Sequence, residues 1–286
     1  MAAKFGPAGN SESFTAMGYK QSLDIPEYVE KMGLDAFEYQ CGRGVNIGTD
    51  KAEKLGVLAK EKNISLSLHA PYYISMSSVE EEKRLNSINY ILQSARAVNA
   101  MGGNRIIVHT GSCGKISREE ALTLALDTMK KSIEALDSEG LSHIRICPET
   151  MGKVNQLGTL DEVMALCRLD ERLIPCIDFG HLNARDQGVL KEMSDFENIF
   201  KTIEDKLGIS RLREFHSHFS KIEYSKGGEV RHLTFDDRVF GPDFEPVMEL
   251  TYKYGASPTF ICESAGTQAE DAKAMKDYYQ SIKGIL

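Results

Sequence analysis

Six short apolar runs decide the fold: LSLHA (66–70), RIIVHT (105–110), RICPET (145–150), PCIDFGH (175–181), FHSHFS (215–220) and TFICES (259–264). Each carries an ionisable residue at or near its C-terminal end. His69, His109, Glu149, Asp178 with His181, His218 and Glu263 stand at or just past the C-terminal ends of these runs. Two further strand patterns lie at 5–8 and 36–39, so eight are expected in all: 5–8, 36–39, 65–69, 105–109, 145–149, 175–178, 213–218 and 259–263. Several are continuously apolar, as strands buried on both faces must be.

Helical patterns separate the strands, at 26–32, 49–62, 78–101, 118–139, 159–167, 188–207, 243–254 and 267–285. Ser117 precedes the helical pattern at 118, so that SREEA (117–121) resembles a capping box, and Gly33, Gly102 and Gly140 follow helix ends. Strand then helix, eight times over, predicts a (β/α)8 TIM barrel. Such a barrel uses about 250 residues as one domain. The 286 residues are therefore expected to form a single TIM-barrel domain over 1–286. In this fold the strand ends open on one face, and the active site lies there. The segments 40–47, 71–77, 111–116, 150–157, 182–187 and 220–240 read as loops on that face.

Composition narrows the function. A net charge of −8 argues against polyanion binding over the whole surface. No apolar run reaches the roughly 18 residues that span a bilayer. MAAKFGPAGNSESF has no signal-peptide core, which predicts a cytoplasmic protein with no membrane partner. The six cysteines are scattered without a CxxC pair and read as reduced thiols. GPAG (6–9) and GRG (42–44) lack the context of nucleotide-binding loops, and no organic cofactor is expected.

The strand-end residues carry the chemistry. A lone histidine there is weak evidence for a ligand. Four neighbouring strands ending in His69, His109, Glu149 and Asp178 are different, because buried carboxylates and imidazoles need a compensating cation. Imidazole and carboxylate donors without thiolates suit a zinc or zinc/manganese centre. Glu149, between the histidine pair and Asp178, is the natural bridge between two ions about 3.5–4 Å apart. Asp178 and His181 could serve different ions of one cluster. His143 follows a helix end and reads as a solvated surface histidine.

SLHAPYYI, IIVHTGS, PETMGKVNQLG, IDFGH and ICES together resemble the endonuclease IV family of abasic-site endonucleases, over the whole length. That family lies within the xylose-isomerase-like barrel superfamily. The resemblance implies a zinc-dependent phosphoric diester hydrolase of DNA repair. Its partner would be double-stranded DNA containing abasic sites, cut on the 5′ side to leave a 3′-hydroxyl. It implies three ions, usually zinc, with manganese admissible at one site. His69 and His109 would hold the first, with Glu149 bridging and catalytic. Asp178, His218 and Glu263 would complete the second, again with Glu149. His181 and His232 would hold the third. Tyr72, beside Tyr73, matches a tyrosine that enters the DNA next to the abasic site, and Arg43 resembles an arginine that assists it. Lys115, Lys153, Arg185, Lys221, Lys226, Arg231 and Arg238 are weaker candidates for phosphate contacts.

Two departures stand out. The family's His-Leu-Asn-Asp is His218-Phe-Ser-Lys here, or His216-Ser-His-Phe in another register; His218 is favoured as nearer the strand end. The family's Asp-x-His is Val230-Arg-His232, with Glu229 one position early as the possible substitute. The competing enzyme is a metal-dependent sugar isomerase or epimerase of the same superfamily. A barrel that binds a nucleic acid or metabolite without turnover is the non-enzymatic alternative.

Overall fold

The computed structural model describes residues 2–283. Its strands are β1 (Lys4–Pro7), β2 (Ala36–Gln40), β3 (Ser65–His69), β4 (Arg105–Val108), β5 (Arg145–Pro148), β6 (Cys176–Asp178), β7 (His216–Phe219), β8 (Lys221–Ser225), β9 (Gly228–Leu233) and β10 (Thr259–Cys262). One parallel sheet runs β1-β10-β7-β6 and another β2-β3-β4-β5. Single parallel bridges, Ala8 to Glu38 and Glu149 to Cys176, join them at both seams. Eight strands thus close into the expected (β/α)8 barrel. β8 and β9 stand apart as an antiparallel hairpin.

Burial explains the order of the elements. One large apolar cluster joins strand residues such as Phe5, Phe37 and Phe260 to helix residues such as Val98, Phe200 and Met275. A small one, Ile107, Cys147, Ile174 and Cys176, fills part of the strand layer. All six cysteines are buried and unbridged. Among the described residues no helix is long and apolar enough to cross a membrane.

The boundaries move where turn chemistry overrides periodicity. The seventh strand was expected from Arg213, but Ile209–Glu214 is a helix and the strand begins at His216. Gly208, at φ 86°, breaks the preceding helix there and lets a new one start. That preceding helix begins at Met193 rather than Gly188, because Glu192 and Asp195 form a capping box. The last helix is Gln268–Ile282, and Ile285 lies outside the described residues. Phe179–Arg185, beyond the expected strand end at Asp178 and overlapping the expected loop 182–187, is a short helix. The expected loop 220–240 contains the β8–β9 hairpin.

Closure at the first seam depends on Gly6. A Cβ at that position would lie 1.9 Å from the Ala36 carbonyl oxygen, a backbone atom that cannot swing aside. Gly6→Ala should therefore destabilise the barrel by about 2–3 kcal/mol, the upper part of the usual overpacking range. The shift in urea midpoint measures this, and an unchanged midpoint would show that the seam can relax.

Candidate metal centre

The barrel delivers the expected residues to one rim. His69 ends β3 and Asp178 ends β6; His109, Glu149 and Glu263 each lie one residue beyond a strand. Parallel register sets His218 beside both Asp178 and Ile261. Glu149, Asp178 and His218 are wholly inaccessible, while Glu263 is partly exposed towards the mouth.

Glu149 is the hub. Its Oε2 lies 3.4 Å from His69 Nε2 and 3.0 Å from His109 Nε2. Its Oε1 lies 3.0 Å from His218 Nδ1 and 3.3 Å from His181 Nδ1. His218 Nδ1 is also 3.5 Å from Glu263 Oε1. Further hydrogen bonds orient the rings. His69 Nδ1 donates to the Ala70 carbonyl at 2.9 Å, and His181 Nδ1 donates to the Thr150 carbonyl at 3.0 Å. His232 Nδ1 pairs with Ser220 Oγ at 2.8 Å. A histidine whose Nδ1–H is bound to a carbonyl keeps an Nε2 lone pair for a metal. Glu149, Asp178, His218 and Glu263 form one group of converging donor atoms; His69, His109 and Glu149 form another.

Asp178 has a double role. Its Oδ1 accepts the His181 backbone N–H at 2.7 Å and so caps the helix Phe179–Arg185. That cap aims His181 back over the site, with its Nδ1 3.1 Å from Asp178 Oδ2.

A third group comprises His181, Glu229 and His232. In a regular strand Glu229 and His232, three apart, would face opposite sides. In β9, however, Tyr224 pairs with Glu229 while Glu223 pairs with Arg231, which leaves Val230 as an extra, bulged residue. The bulge turns Glu229 to the His232 side. Glu229 Oε2 then lies 3.4 Å from His181 Nε2 and Oε1 3.8 Å from His232 Nε2. Val230 is half exposed.

The loop after β5 braces this group. Lys153 bridges to Gly228, and Glu229 N–H donates to the Gly152 carbonyl at 3.1 Å. A Cβ on Gly152 would lie 2.7 Å from Glu229 Cβ and 2.8 Å from His181 Cδ2, so only glycine admits this approach. Arg185 belongs to the brace. It is buried, and its guanidinium donates to the carbonyls of Met151, Lys153, Val154 and Gln156. That engagement removes it from the candidate phosphate contacts. Lys221 is tied to Asp237 and Asp243, and Arg231 to Glu223.

His216 takes a different place from His218. Its Nε2 is 3.0 Å from Glu38 Oε2, and its Nδ1 has no partner among the described residues. It groups with Cys176 and His218 rather than with Glu149. Glu38, absent from the sequence-derived set, is fully buried on β2 and also meets His218 Nε2 at 2.9 Å. A carboxylate inside the core strand AFEYQ was the available signal.

The electrostatics follow from crowding. Burial alone would push the Glu149 carboxyl up, but His218 and His109 outweigh it and hold it well below the usual range. Burial likewise opposes charge on His181, yet Asp178 and Glu149 raise it to about 10. Burial opposes charge on His218 too, but Cys176, Glu263, Glu38 and Glu149 raise it well above its usual value. Asp178 is raised, chiefly by burial, and His109 is lowered by burial. Glu149 Oε2 and Asp178 Oδ2 are buried without a hydrogen bond, although imidazole nitrogens stand close by. Two buried carboxylate oxygens left without a hydrogen bond among converging imidazoles fit a shared cation.

A cleft of about 510 Å³ opens above the site, lined in part by Gln40, Tyr72, Lys153 and Gln268. Tyr72 is 58% exposed at the mouth. Its ring lies 5.3 Å from that of His109 and 5.4 Å from that of His69. Gly42 packs against this ring, where a Cβ would come within 2.4 Å of Cε2. Arg43, next in the chain, is exposed. His143 is on the surface, 2.8 Å from Asn99 Oδ1.

Known proteins share this arrangement of elements. The chain is 34% identical over 274 residues to the uncharacterized protein MJ0133 of Methanocaldococcus jannaschii, covering 96% of each. It is 30% identical over 185 residues to a probable endonuclease 4 of Acholeplasma laidlawii, covering 62% of this chain and 61% of that one. Among solved structures, a D-tagatose 3-epimerase-like protein superposes with a TM-score of 0.70 at 19% identity, covering 98% and 97%. Endonuclease IV from Thermus thermophilus superposes with a TM-score of 0.63 at 15% identity, covering 97% and 99%. Both structural likenesses speak to fold alone. The model of the xylose isomerase-like TIM barrel family matches residues 26–283, and the chain belongs to that family.

Proposed function

We propose that this chain is a divalent-cation-dependent phosphodiesterase that cuts DNA on the 5′ side of abasic sites. The observation that carries the reading is Glu149. It is buried, and imidazoles from His69, His109, His181 and His218 surround its two oxygens. His69, His109 and Glu149 would hold one ion; Glu149, Asp178, His218 and Glu263 a second; His181, Glu229 and His232 a third. The histidine-rich donor set suits zinc. Resemblance to proteins named probable endonuclease 4 supports the choice of substrate.

The ions would supply Lewis acidity and positive charge against a phosphodiester. The chain's own residues do the rest. Glu149 bridges and fixes the geometry of the cluster. Tyr72 offers an exposed aromatic face at the rim, suited to stacking where a base is missing. Lys153 lines the cleft and can face a phosphate. A second reading, sugar epimerisation, is favoured by one observation. Three carboxylates and one histidine, Glu149, Asp178, Glu263 and His218, would suffice as a single-ion site. It leaves His69, His109, His181 and His232 without a task.

The direct test is incision of a duplex carrying one tetrahydrofuran abasic analogue. The wild-type chain should cut it and Glu149→Gln should not, while remaining folded. Near-wild-type incision by that variant, or ketose epimerisation without incision by the wild type, would overturn the reading.

Gly152→Ala should lower bound metal by one ion per chain and spare the others, because only the His181, Glu229 and His232 group is crowded. Full metal content in that variant would contradict the assignment.

Tyr72→Ala should reduce preference for abasic over intact duplex by roughly 5- to 150-fold, from about 1–3 kcal/mol of stacking. Metal content should not change. An unaltered preference would leave Tyr72 as a plain wall of the mouth.

Cation binding should also release protons. His181, raised to about 10, retains its proton in the cation-free chain below that pH. A cation must displace it, so affinity should rise with pH towards about 10 and fall as the solution is acidified. Calorimetric titration in buffers of different ionisation enthalpy measures the release, and buffer-independent heats would refute it.

A further inference from the structure

Glu38 lies on β2, which neighbours neither β7 nor β6 in the barrel. Its contacts with β7 therefore cross the barrel interior. Oε1 accepts from His218 Nε2 at 2.9 Å, and Oε2 from His216 Nε2 at 3.0 Å and Ser67 Oγ at 2.9 Å. Gln40 Nε2, on the cleft side, reaches Oε1 at 3.4 Å. Donors from three strands thus satisfy one buried carboxylate. His216, fully buried and with Nδ1 unpartnered among the described residues, has Glu38 as its hydrogen-bonding partner.

Of these donors, His218 alone also touches the candidate metal centre, through Nδ1 against Glu149 and Glu263. A flip of a histidine ring about the Cβ–Cγ bond puts Cδ2 where Nδ1 stood and Cε1 where Nε2 stood, so it withdraws both nitrogens from their partners. What holds Nε2 therefore decides whether Nδ1 or a ring carbon meets the metal. We propose that Glu38 is a positioning residue for the cation group Glu149, Asp178, His218 and Glu263: it fixes the His218 ring with Nδ1, not Cδ2, facing that group. His216 and Ser67 hold the second oxygen of the same carboxylate and keep it from rotating away. The inference rests on the proposed cation-binding function and adds a residue outside the donor set.

The test uses the full chain, stripped with a chelator and reloaded with zinc. In the wild type, histidine ¹⁵N resonances should show His218 coordinated through Nδ1, with a proton on Nε2 hydrogen-bonded to a carboxylate. Coordination through Nε2 would overturn the inference without any variant being made. Glu38→Gln keeps the volume and removes the charge. Zinc affinity at one ion should fall about 10- to 100-fold, the usual effect of losing a metal-ligand's carboxylate partner. The other ions should be unaffected, and the His218 signal should become a mixture of ring orientations. Equal affinity with an unchanged His218 signature would show that Glu38 only fills the core. A wild-type chain that binds no zinc at this group would sink the proposed function and this inference with it; a wild type that binds normally beside an unaltered variant would sink this inference alone.

Discussion

The carboxylate of Glu149 sets the terms for the rest of the site. It is wholly removed from water, and imidazoles from four elements close around it. Asp178 and Glu263 stand within the same cluster. Burying such groups without compensation costs several kcal/mol apiece. Protons on the histidines supply part of the compensation in the cation-free chain, which is why His181 and His218 are raised. Divalent cations would supply it more fully, since each can meet several donors at once. The rigid barrel makes the cluster possible, because each strand end is fixed by hydrogen bonds on both sides.

The outer part of the centre is built differently. His232 and Glu229 come from a two-stranded hairpin, an element of marginal stability alone. It is held by the loop after β5, through Gly152 and Lys153. That loop is held in turn by the guanidinium groups of Arg185 and Arg118. Neither arginine meets the centre, yet both fix where Glu229 stands. The bulge at Val230 completes the arrangement by turning Glu229 towards His232.

The barrel was legible because its strands are short apolar runs that end in ionisable residues. The donors His69, His109, Glu149, Asp178, His181, His218 and Glu263 converge for the same reason. The hairpin was not recognised, because KIEYS and GEVRHL are half polar and alternate weakly; Gly227-Gly228 was the turn signal within them. Arg185 was misjudged because composition cannot distinguish an arginine facing solvent from one donating to four carbonyls. Glu38 was missed because its partners, His216, His218 and Ser67, are distant in sequence and meet it only across the closed barrel.

Metal content and its effect on stability test the central claim most directly. The purified chain should carry about three divalent ions, zinc foremost. Stripping them with a chelator should lower the melting temperature, and zinc should restore it. An ion present at a hundred times its dissociation constant contributes about 2.7 kcal/mol, or roughly 5–10 °C for a chain of this size. A chain that carries no divalent ion, and melts at the same temperature with chelator as with zinc, would contradict the account.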